Sequence, residues 1–221
     1  MSALKSFVHV WQPASDVAAG RTILLLHGTG ADEHDLIGLG RALDPAANLL
    51  SPRGRGRVRA ELPPAGDGMI RWFMRFPDGG FDEPGIVRVC DQLAEFVQAA
   101  SQRYGFDLGN LWVAGFSNGA NASGALLLLH PELFRGAIAF GTTKSFVDTL
   151  AVRQGVAPDL GGKTVFIANG ALDDYSPAAK TRAMVAEFER FGAKVELRVH
   201  GGGHTISHEH VREISRQLQS L

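Results

Sequence analysis

Three residues in the middle of the chain have the types and the spacing of a nucleophile turn: Gly115, Ser117 and Gly119. An apolar run at 111–114 precedes them, and a stretch of small residues that ends at His130 follows. A serine on a sharp turn between a strand and a helix exposes its oxygen above the end of a sheet. A Cβ at either glycine would clash, because the turn is tight and the helix leaves close to the neighbouring strand. The pattern therefore predicts a nucleophile at Ser117.

Two downstream loops offer partners for this serine. A serine hydroxyl is a weak nucleophile until a neighbouring base takes its proton and a carboxylate orients that base. Asp173 and Asp174 follow a predicted strand that ends at Ala168, and His204 follows three glycines after a strand that ends at Val199. By loop position alone, either aspartate could instead cap the next helix. The histidine is the predicted base.

The turn after the second predicted strand completes this chemistry. An acyl-transfer site needs backbone N–H donors for the developing oxyanion, one directly after the nucleophile and one from an early strand-to-helix turn. Asn118 and Thr29 occupy these two positions. A nucleotide-binding loop is disfavoured at the same turn, because position 33 is Glu33 rather than a third glycine and no Gly-Lys-Ser/Thr follows.

The remaining histidines near the C-terminus do not predict a metal site. His200 closes a strand and is predicted to pack or to lie at the surface, whereas His208 and His210 are predicted to face solvent from the last helix. His204 and His208 stand four residues apart, but glycines break any helix before His204 and no cysteine or carboxylate set completes a zinc site. No cofactor is predicted.

Strands and helices alternate along the chain, as their hydrophobic periods indicate. Strands are predicted at 7–11, 22–26, 48–51, 136–140, 164–168 and 194–199, with another at 111 leading into the serine turn. Helices are predicted from Asp32 or Glu33, over 84–104, from the serine turn to His130, from Pro177 to Phe191 and over 207–218, with 141–163 irregular. This order predicts a mainly parallel α/β sheet with helices on both faces, in one domain over 1–221.

Residues 52–83 interrupt this alternation. They contain Trp72, Phe73 and Phe76, which could wall an apolar acyl or aryl pocket or could anchor the loop to the core. Arginine alternates with glycine from 53 to 57, with a further arginine at 59, a pattern that can follow a phosphate backbone. The run is short and the net charge is -1, so a solvated loop without nucleic acid is favoured.

Composition is that of a soluble globular protein, with 45% hydrophobic and 20% charged residues among 221. The one cysteine, Cys90, cannot form an internal disulfide and lies in an apolar helical pattern, so it is predicted to lie in the core. No signal peptide is evident, and the apolar runs are too short to span a bilayer. A cytoplasmic protein without stable membrane insertion is expected, and a homodimer is one expected assembly.

With these residues identified, the chain resembles the phospholipase/carboxylesterase family of α/β hydrolases, which includes acyl-protein thioesterases, and it is most similar to the small bacterial carboxylesterases. The resemblance is carried by residues 26–30, 81–83, 115–121, 170–173, Pro177, Gly203 and His204. It implies an α/β-hydrolase fold without a large cap domain, with His27 in a structural role. It also implies Ser117 as nucleophile, His204 as general base, Asp173 as its orienter, and Thr29 and Asn118 as oxyanion donors. The family usually has proline directly after the acid, where this chain has Asp174; the spacing to Gly170 and Pro177 favours Asp173.

The function predicted is a cofactor-independent serine hydrolase that cleaves small-molecule carboxylic esters through an acyl-enzyme. A thioesterase or lysophospholipase with the same residues is the alternative, although no basic amphipathic segment for a lipid surface is present. A hydrolase-fold protein that binds ligands without turnover is a third possibility, because a fold alone does not establish activity.

Overall fold

The structure, a computed structural model, describes residues 3–55, 68–74, 76, 80–143 and 158–221. Within these residues the chain forms one seven-stranded sheet flanked by helices. The strands are β1 (His9–Gln12), β2 (Thr22–Leu26), β3 (Asn48–Pro52), β4 (Leu111–Phe116), β5 (Gly136–Phe140), β6 (Thr164–Gly170) and β7 (Lys194–His200). The helices are α1 (Ile37–Leu43), α2 (Glu83–Tyr104), α3 (Asn118–Leu129), α4 (Ala178–Arg190) and α5 (His208–Leu218), with short 3-10 helices at Ala3–Ser6, Leu108–Asn110 and Pro131–Leu133.

The sheet has the strand order β1-β3-β2-β4-β5-β6-β7. β1 runs antiparallel to β3, and every other neighbouring pair is parallel. All residues of β2, β3, β5 and β6 are buried, as expected for parallel strands covered on both faces. The predicted mainly parallel sheet is confirmed.

Helices cover both faces of the sheet and bury two separate apolar clusters. The larger cluster joins alternate strand residues such as Leu24 and Val113 to α2, α3 and α4. The smaller joins the intervening residues, such as Leu25 and Trp112, to α1 and α5. Cys90 lies fully buried in the larger cluster, as predicted. Among the helices that the structure describes, none has the length and apolar character needed to cross a membrane.

The predicted start of the first helix is wrong. α1 begins at Ile37, and Glu33, one of the two residues expected to open it, is buried beside Arg53. The Arg53 guanidinium donates to both carboxylate oxygens of Glu33, with Nη2 at 2.6 Å from Oε1. These hydrogen bonds lower the pKa of Glu33 below its ordinary value. The acid therefore holds β3 to the turn after β2. Of the segment expected to be irregular, 144–157 lie outside the described residues.

Candidate active site

Ser117 lies on a strained turn between β4 and α3. Its φ is 54°, the only positive φ of a non-glycine residue in the described part of the chain. The N–H of Ser117 donates to Phe140 O at 2.9 Å, which ties the turn to the end of β5. Backbone strain of this kind is expected where a serine oxygen must project above the sheet.

The two glycines around Ser117 are required by close packing. A Cβ on Gly119 would lie 1.9 Å from Leu26 O, and a Cβ on Gly115 would lie 2.4 Å from Gly119 O. Both distances are far below van der Waals contact with backbone atoms. The expectation that side chains at these positions would clash is confirmed.

A continuous chain of hydrogen bonds joins Ser117, His204 and Asp173. His204 Nε2 lies 2.9 Å from Ser117 Oγ, and His204 Nδ1 lies 2.7 Å from Asp173 Oδ2. A carboxylate only accepts, so Nδ1 carries the proton and Nε2 is free to accept the serine proton. This is the protonation state that a general base needs.

The structure separates the two candidate acids. Asp173 is buried, and its second oxygen, Oδ1, accepts hydrogen bonds from the N–H groups of Tyr175 at 2.9 Å and Ser176 at 3.2 Å. Asp174 is exposed to solvent. Both carboxylate oxygens of Asp173 are therefore fixed, and Asp173 is the acid that contacts the histidine.

The loops that carry Asp173 and His204 are paired through their backbones. The N–H of Ala171 donates to His200 O at 2.7 Å, and the N–H of Leu172 donates to Gly202 O at 3.0 Å. None of the three glycines before His204 has a positive φ, so none of them is required by a left-handed backbone. A Cβ on Gly170 would instead lie 2.2 Å from Gly203 O. Close approach of the two loops sets the distance between acid and base.

A cavity of about 270 Å³ opens at Ser117. Its lining includes Thr29, Asn118 and His204, so the two expected oxyanion donors lie on the cavity that holds the serine. Asn118 is the first residue of α3, and N–H groups in a first helical turn have no partner within the helix. An oxyanion formed at Ser117 would lie beside such donors.

The three aromatic residues expected on the pocket wall do not line this cavity. Trp72 and Phe73 are only 3% and 2% exposed and pack in the larger core cluster. Phe76 is 42% exposed and is absent from the described lining. Of the two interpretations that the sequence left open, anchoring of the loop to the core fits Trp72 and Phe73, because burying their rings removes large apolar surfaces from water. Sequence reasoning missed Phe81 and Tyr175, which do line the cavity.

His27 braces the turns beneath the cavity. Its Nδ1 donates to Gly28 O at 2.7 Å, and its Nε2 accepts from the N–H of Gly54 at 2.9 Å. Trp72 Nε1 donates to His27 O at 2.9 Å. Burial lowers the pKa of His27, which favours the neutral ring that this pair of bonds requires. These contacts support the structural role implied for His27.

A buried polar network behind the site was not predicted. Thr142, just after β5, accepts at its carbonyl from Ser176 Oγ at 2.8 Å and from Asn169 Nδ2 at 3.1 Å. Its hydroxyl donates to Asn121 Oδ1 at 3.0 Å, which connects the network to α3. The network links the helix after the serine to the loop of the acid. Its members are separated in sequence, and only their common burial identifies them.

The other histidines differ in part from expectation. His208 is exposed as predicted, but His210 is buried, with its ring centroid 5.5 Å from that of His200. Burial, followed by the nearby His200, lowers the pKa of His210. The prediction that His210 faces solvent is wrong, because α5 turns this side toward β7. Within the described ranges, no group of three or more metal-binding side chains occurs.

The mainly parallel sheet and the order of serine, aspartate and histidine along the chain are those of α/β hydrolases. The model of the Phospholipase/Carboxylesterase family matches residues 9–221. The chain belongs to this family of hydrolases, as the sequence resemblance indicated.

Individual relatives agree with this assignment. MhqD of Bacillus subtilis (strain 168) is 31% identical over 209 residues, which cover 95% of this chain and 96% of MhqD. The carboxylesterase of Bacillus cereus is 31% identical, with a TM-score of 0.84 over 97% of this chain and 94% of that one. The carboxylesterase of Mesorhizobium loti is 30% identical, with a TM-score of 0.76 over 94% of this chain and 91% of that one. These structures confirm the predicted α/β-hydrolase fold.

Proposed function

We propose that the protein hydrolyses small carboxylic esters through an acyl-enzyme on Ser117. The observation that carries this proposal is the hydrogen-bonded chain from Ser117 Oγ through His204 to the buried Asp173, at 2.9 and 2.7 Å. The family assignment supports an esterase-type hydrolase. The cavity of about 270 Å³ supports a small substrate, since pockets for drug-sized ligands measure roughly 300–1,000 Å³.

The first half-reaction forms the acyl-enzyme. Ser117 Oγ attacks the ester carbonyl while His204 Nε2 takes the serine proton, and a new Oγ–C bond forms. The backbone N–H groups of Thr29 and Asn118 stabilise the oxyanion of the tetrahedral intermediate. The bond from carbon to the alcohol oxygen then breaks, and His204 gives its proton to the leaving alcohol.

The second half-reaction restores the enzyme. A water molecule gives a proton to His204 Nε2 and attacks the acyl carbon, so a carboxylic acid leaves and Ser117 regains its hydroxyl. Throughout both steps, Asp173 keeps the imidazole in one tautomer and stabilises its protonated form. The scheme requires only ester and water as reactants.

The test compares wild type with Ser117→Ala on p-nitrophenyl esters from acetyl to dodecanoyl. Wild type is expected to turn over, and Ser117→Ala is expected to lose at least about a thousandfold in kcat. Ser101→Ala is the matched control, because its hydroxyl bonds to Phe106 O at the end of α2, away from the cavity. Equal activity of wild type and Ser117→Ala would overturn the mechanism, and binding without turnover by wild type would favour the non-catalytic alternative.

Activity assays on the wild-type protein distinguish esters from thioesters and lysophospholipids as substrates. Rates on an oxygen ester and a thioester with the same acyl group measure the preference between these two classes directly. An optimum at long acyl chains would favour acyl-protein or lipid substrates, whereas the cavity volume favours short chains.

A further inference from the structure

A second cavity shares one lining residue with the site. It has a volume of about 460 Å³ and lies between α1, the end of β4 and the start of α5. Its wall is mainly apolar and includes Leu36, Leu39, Phe116, Ile206 and Val211. His204 also lines it, and this histidine is the residue common to the described linings of both cavities.

The position of His204 between the cavities assigns a different part of an ester to each. The serine and the expected oxyanion donors Thr29 and Asn118 line the first cavity, so the acyl carbon must lie there. His204 must protonate the alcohol oxygen, which requires about 2.6–3.2 Å between that oxygen and Nε2. The alcohol therefore leaves on the imidazole side. The second cavity is lined by His204 and by Phe116, whose ring centroid lies 5.0 Å from that of His204.

We propose that this second cavity, which we call the alcohol groove, binds the alcohol group of the ester and selects neutral apolar alcohols of aryl or medium alkyl size. The inference rests on the proposed esterase function and adds its substrate class. Besides His204, the polar side chains on the groove include Asp35 and His208, both exposed. A carboxylate at Asp35 disfavours anionic alcohols, and the apolar wall gains free energy by burying a hydrocarbon group.

Gly38 offers a way to fill the groove without disturbing the fold. It lies in α1 on the groove wall, and a Cβ built there meets no atom within 4 Å. Gly38→Trp would occupy the groove, while Gly38→Ala shifts the backbone preference in the same direction and adds only a methyl group. Both replacements favour the helix over glycine, so folding is retained.

The experiment measures kcat/KM for acetates whose alcohol varies: methyl, butyl, phenyl and 2-naphthyl. Gly38→Trp is expected to lower kcat/KM at least about tenfold for 2-naphthyl acetate and less than about twofold for methyl acetate. Ser101→Ala, whose hydroxyl bonds to Phe106 O and which is in neither described cavity lining, should leave both values within about twofold of wild type. Gly38→Ala, which adds only a methyl group to the groove wall, should lower the value for 2-naphthyl acetate less than Gly38→Trp does. For methyl esters with increasingly long acyl groups, kcat/KM should depend on acyl length in the same way in the wild type and in Gly38→Trp.

Failure of the groove assignment can be told from failure of the proposed function. If wild type cleaves the esters but Gly38→Trp leaves the alcohol preference unchanged, or changes the acyl preference instead, the groove does not bind the alcohol. If wild type cleaves none of them, or Ser117→Ala cleaves them equally, the esterase mechanism itself is overturned together with the groove.

A second inference concerns the edge of the sheet at β7. This strand pairs with β6, and it has no second strand partner among the described residues. Two apolar side chains on it remain open to solvent, Leu197 at 39% and Val199 at 53% exposure. Unpaired edges with exposed apolar residues are sites for strand pairing with another chain.

The sequence of β7 complements itself in an antiparallel pair centred on Leu197. In that register Leu197 faces the same residue of a second copy, Val195 faces Val199, and Glu196 faces Arg198. Directly opposed residues share one face of a sheet, so apolar groups would meet apolar groups. On the other face, Glu196 and Arg198 keep their partners within the chain, Lys194 and Glu213. We infer that a second copy of this chain pairs along β7 about a two-fold axis, giving one continuous sheet.

The test is the oligomeric state, measured by sedimentation velocity across a range of protein concentrations. Leu197→Lys would place two like charges opposite each other at the axis, so it is expected to convert a dimer to a monomer. Leu172→Lys is the matched control, because Leu172 is 71% exposed but lies off the strand. It should leave the dimer intact. A monomeric wild type, or a Leu197→Lys variant that remains dimeric, would overturn the inference.

Discussion

The side chain of Asn118 joins the nucleophile turn to the backbone at Trp72. Its Oδ1 accepts from the N–H of Trp72 at 2.9 Å, and its Nδ2 donates to Phe73 O at 3.2 Å. The residue directly after Ser117 thus has two separable roles. Its backbone N–H is proposed to stabilise an oxyanion, while its side chain holds a segment that is distant in sequence.

Asn118→Ala tests this separation. The variant removes the two hydrogen bonds from Asn118 to the backbone of Trp72 and Phe73, so the free energy of unfolding should fall by about 1–3 kcal/mol. The backbone N–H at position 118 remains, so kcat should fall by less than about tenfold, far less than for Ser117→Ala. Urea unfolding and ester kinetics measure the two effects. A loss of activity equal to that of Ser117→Ala, at unchanged stability, would show that the side chain itself contacts the reacting atoms.

The neighbouring aspartates provide a matched pair of variants. Asp173→Asn replaces the acceptor of His204 Nδ1 by a group that can donate, which favours the wrong tautomer and should lower kcat by about 10⁴. Asp174→Asn removes an exposed charge and should leave kcat within about twofold. Ester hydrolysis by the purified variants decides between them. The assignment of the acid fails if Asp174→Asn is the more damaging change.

Gly119→Ala tests the packing of α3 against β2. The added methyl group would meet Leu26 O at 1.9 Å, so the helix must move away from the strand. Overpacking of this kind destabilises by about 1–3 kcal/mol, and we expect a loss at or above this range. Gly38→Ala is the control, because its methyl group enters open space and should be neutral or stabilising. Similar unfolding midpoints for the two variants would contradict the structure of the turn.

Stability should depend on pH through His27. Its pKa is lowered in the folded protein, mainly by burial, whereas the unfolded chain titrates near about 6.5. Below that pH the unfolded state binds a proton that the folded state excludes, so the free energy of unfolding falls as the pH drops toward the lowered pKa. His210 contributes with the same sign, because burial also lowers its pKa. Glu33 and Glu196, whose pKa values are lowered by hydrogen bonds from Arg53 and Lys194, lose their contribution only below about pH 4.3.

Urea unfolding between pH 8 and pH 5 isolates this effect. His27→Gln should be less stable than wild type at pH 8 but should lose less stability on acidification. His208→Gln, at an exposed position, should follow the wild-type pH dependence. If His27→Gln keeps the full wild-type slope, the titration belongs to other groups.

The elements could be predicted because their signals are local. The apolar run of β2 matches Thr22–Leu26, and β5 matches Gly136–Phe140, because strands buried on both faces need apolar residues at every position. The start of α1 could not be predicted from Asp32 or Glu33. The side chain of Glu33 binds Arg53, a partner that becomes adjacent only when β3 pairs with β2.

The aromatic residues Trp72 and Phe73 show a second limit of the sequence. Large rings suit a pocket wall and a loop anchor equally well, since both remove apolar surface from water. Burial at 3% and 2% exposure decides for the anchor. His210 is a similar case, because whether this residue is buried depends on how α5 packs against β7.

The sequence by itself determined the order of the elements, the glycines of the serine turn and the chain order of Ser117, Asp173 and His204. These follow from residue types and short spacings, which act within one turn or one strand. Only the tertiary structure decided which aspartate contacts His204, which residues line the cavity, and that a second groove is lined by the same histidine. The physical reason is that contact and burial depend on how parallel strands bring their carboxyl ends together, and residues far apart in the chain set those distances.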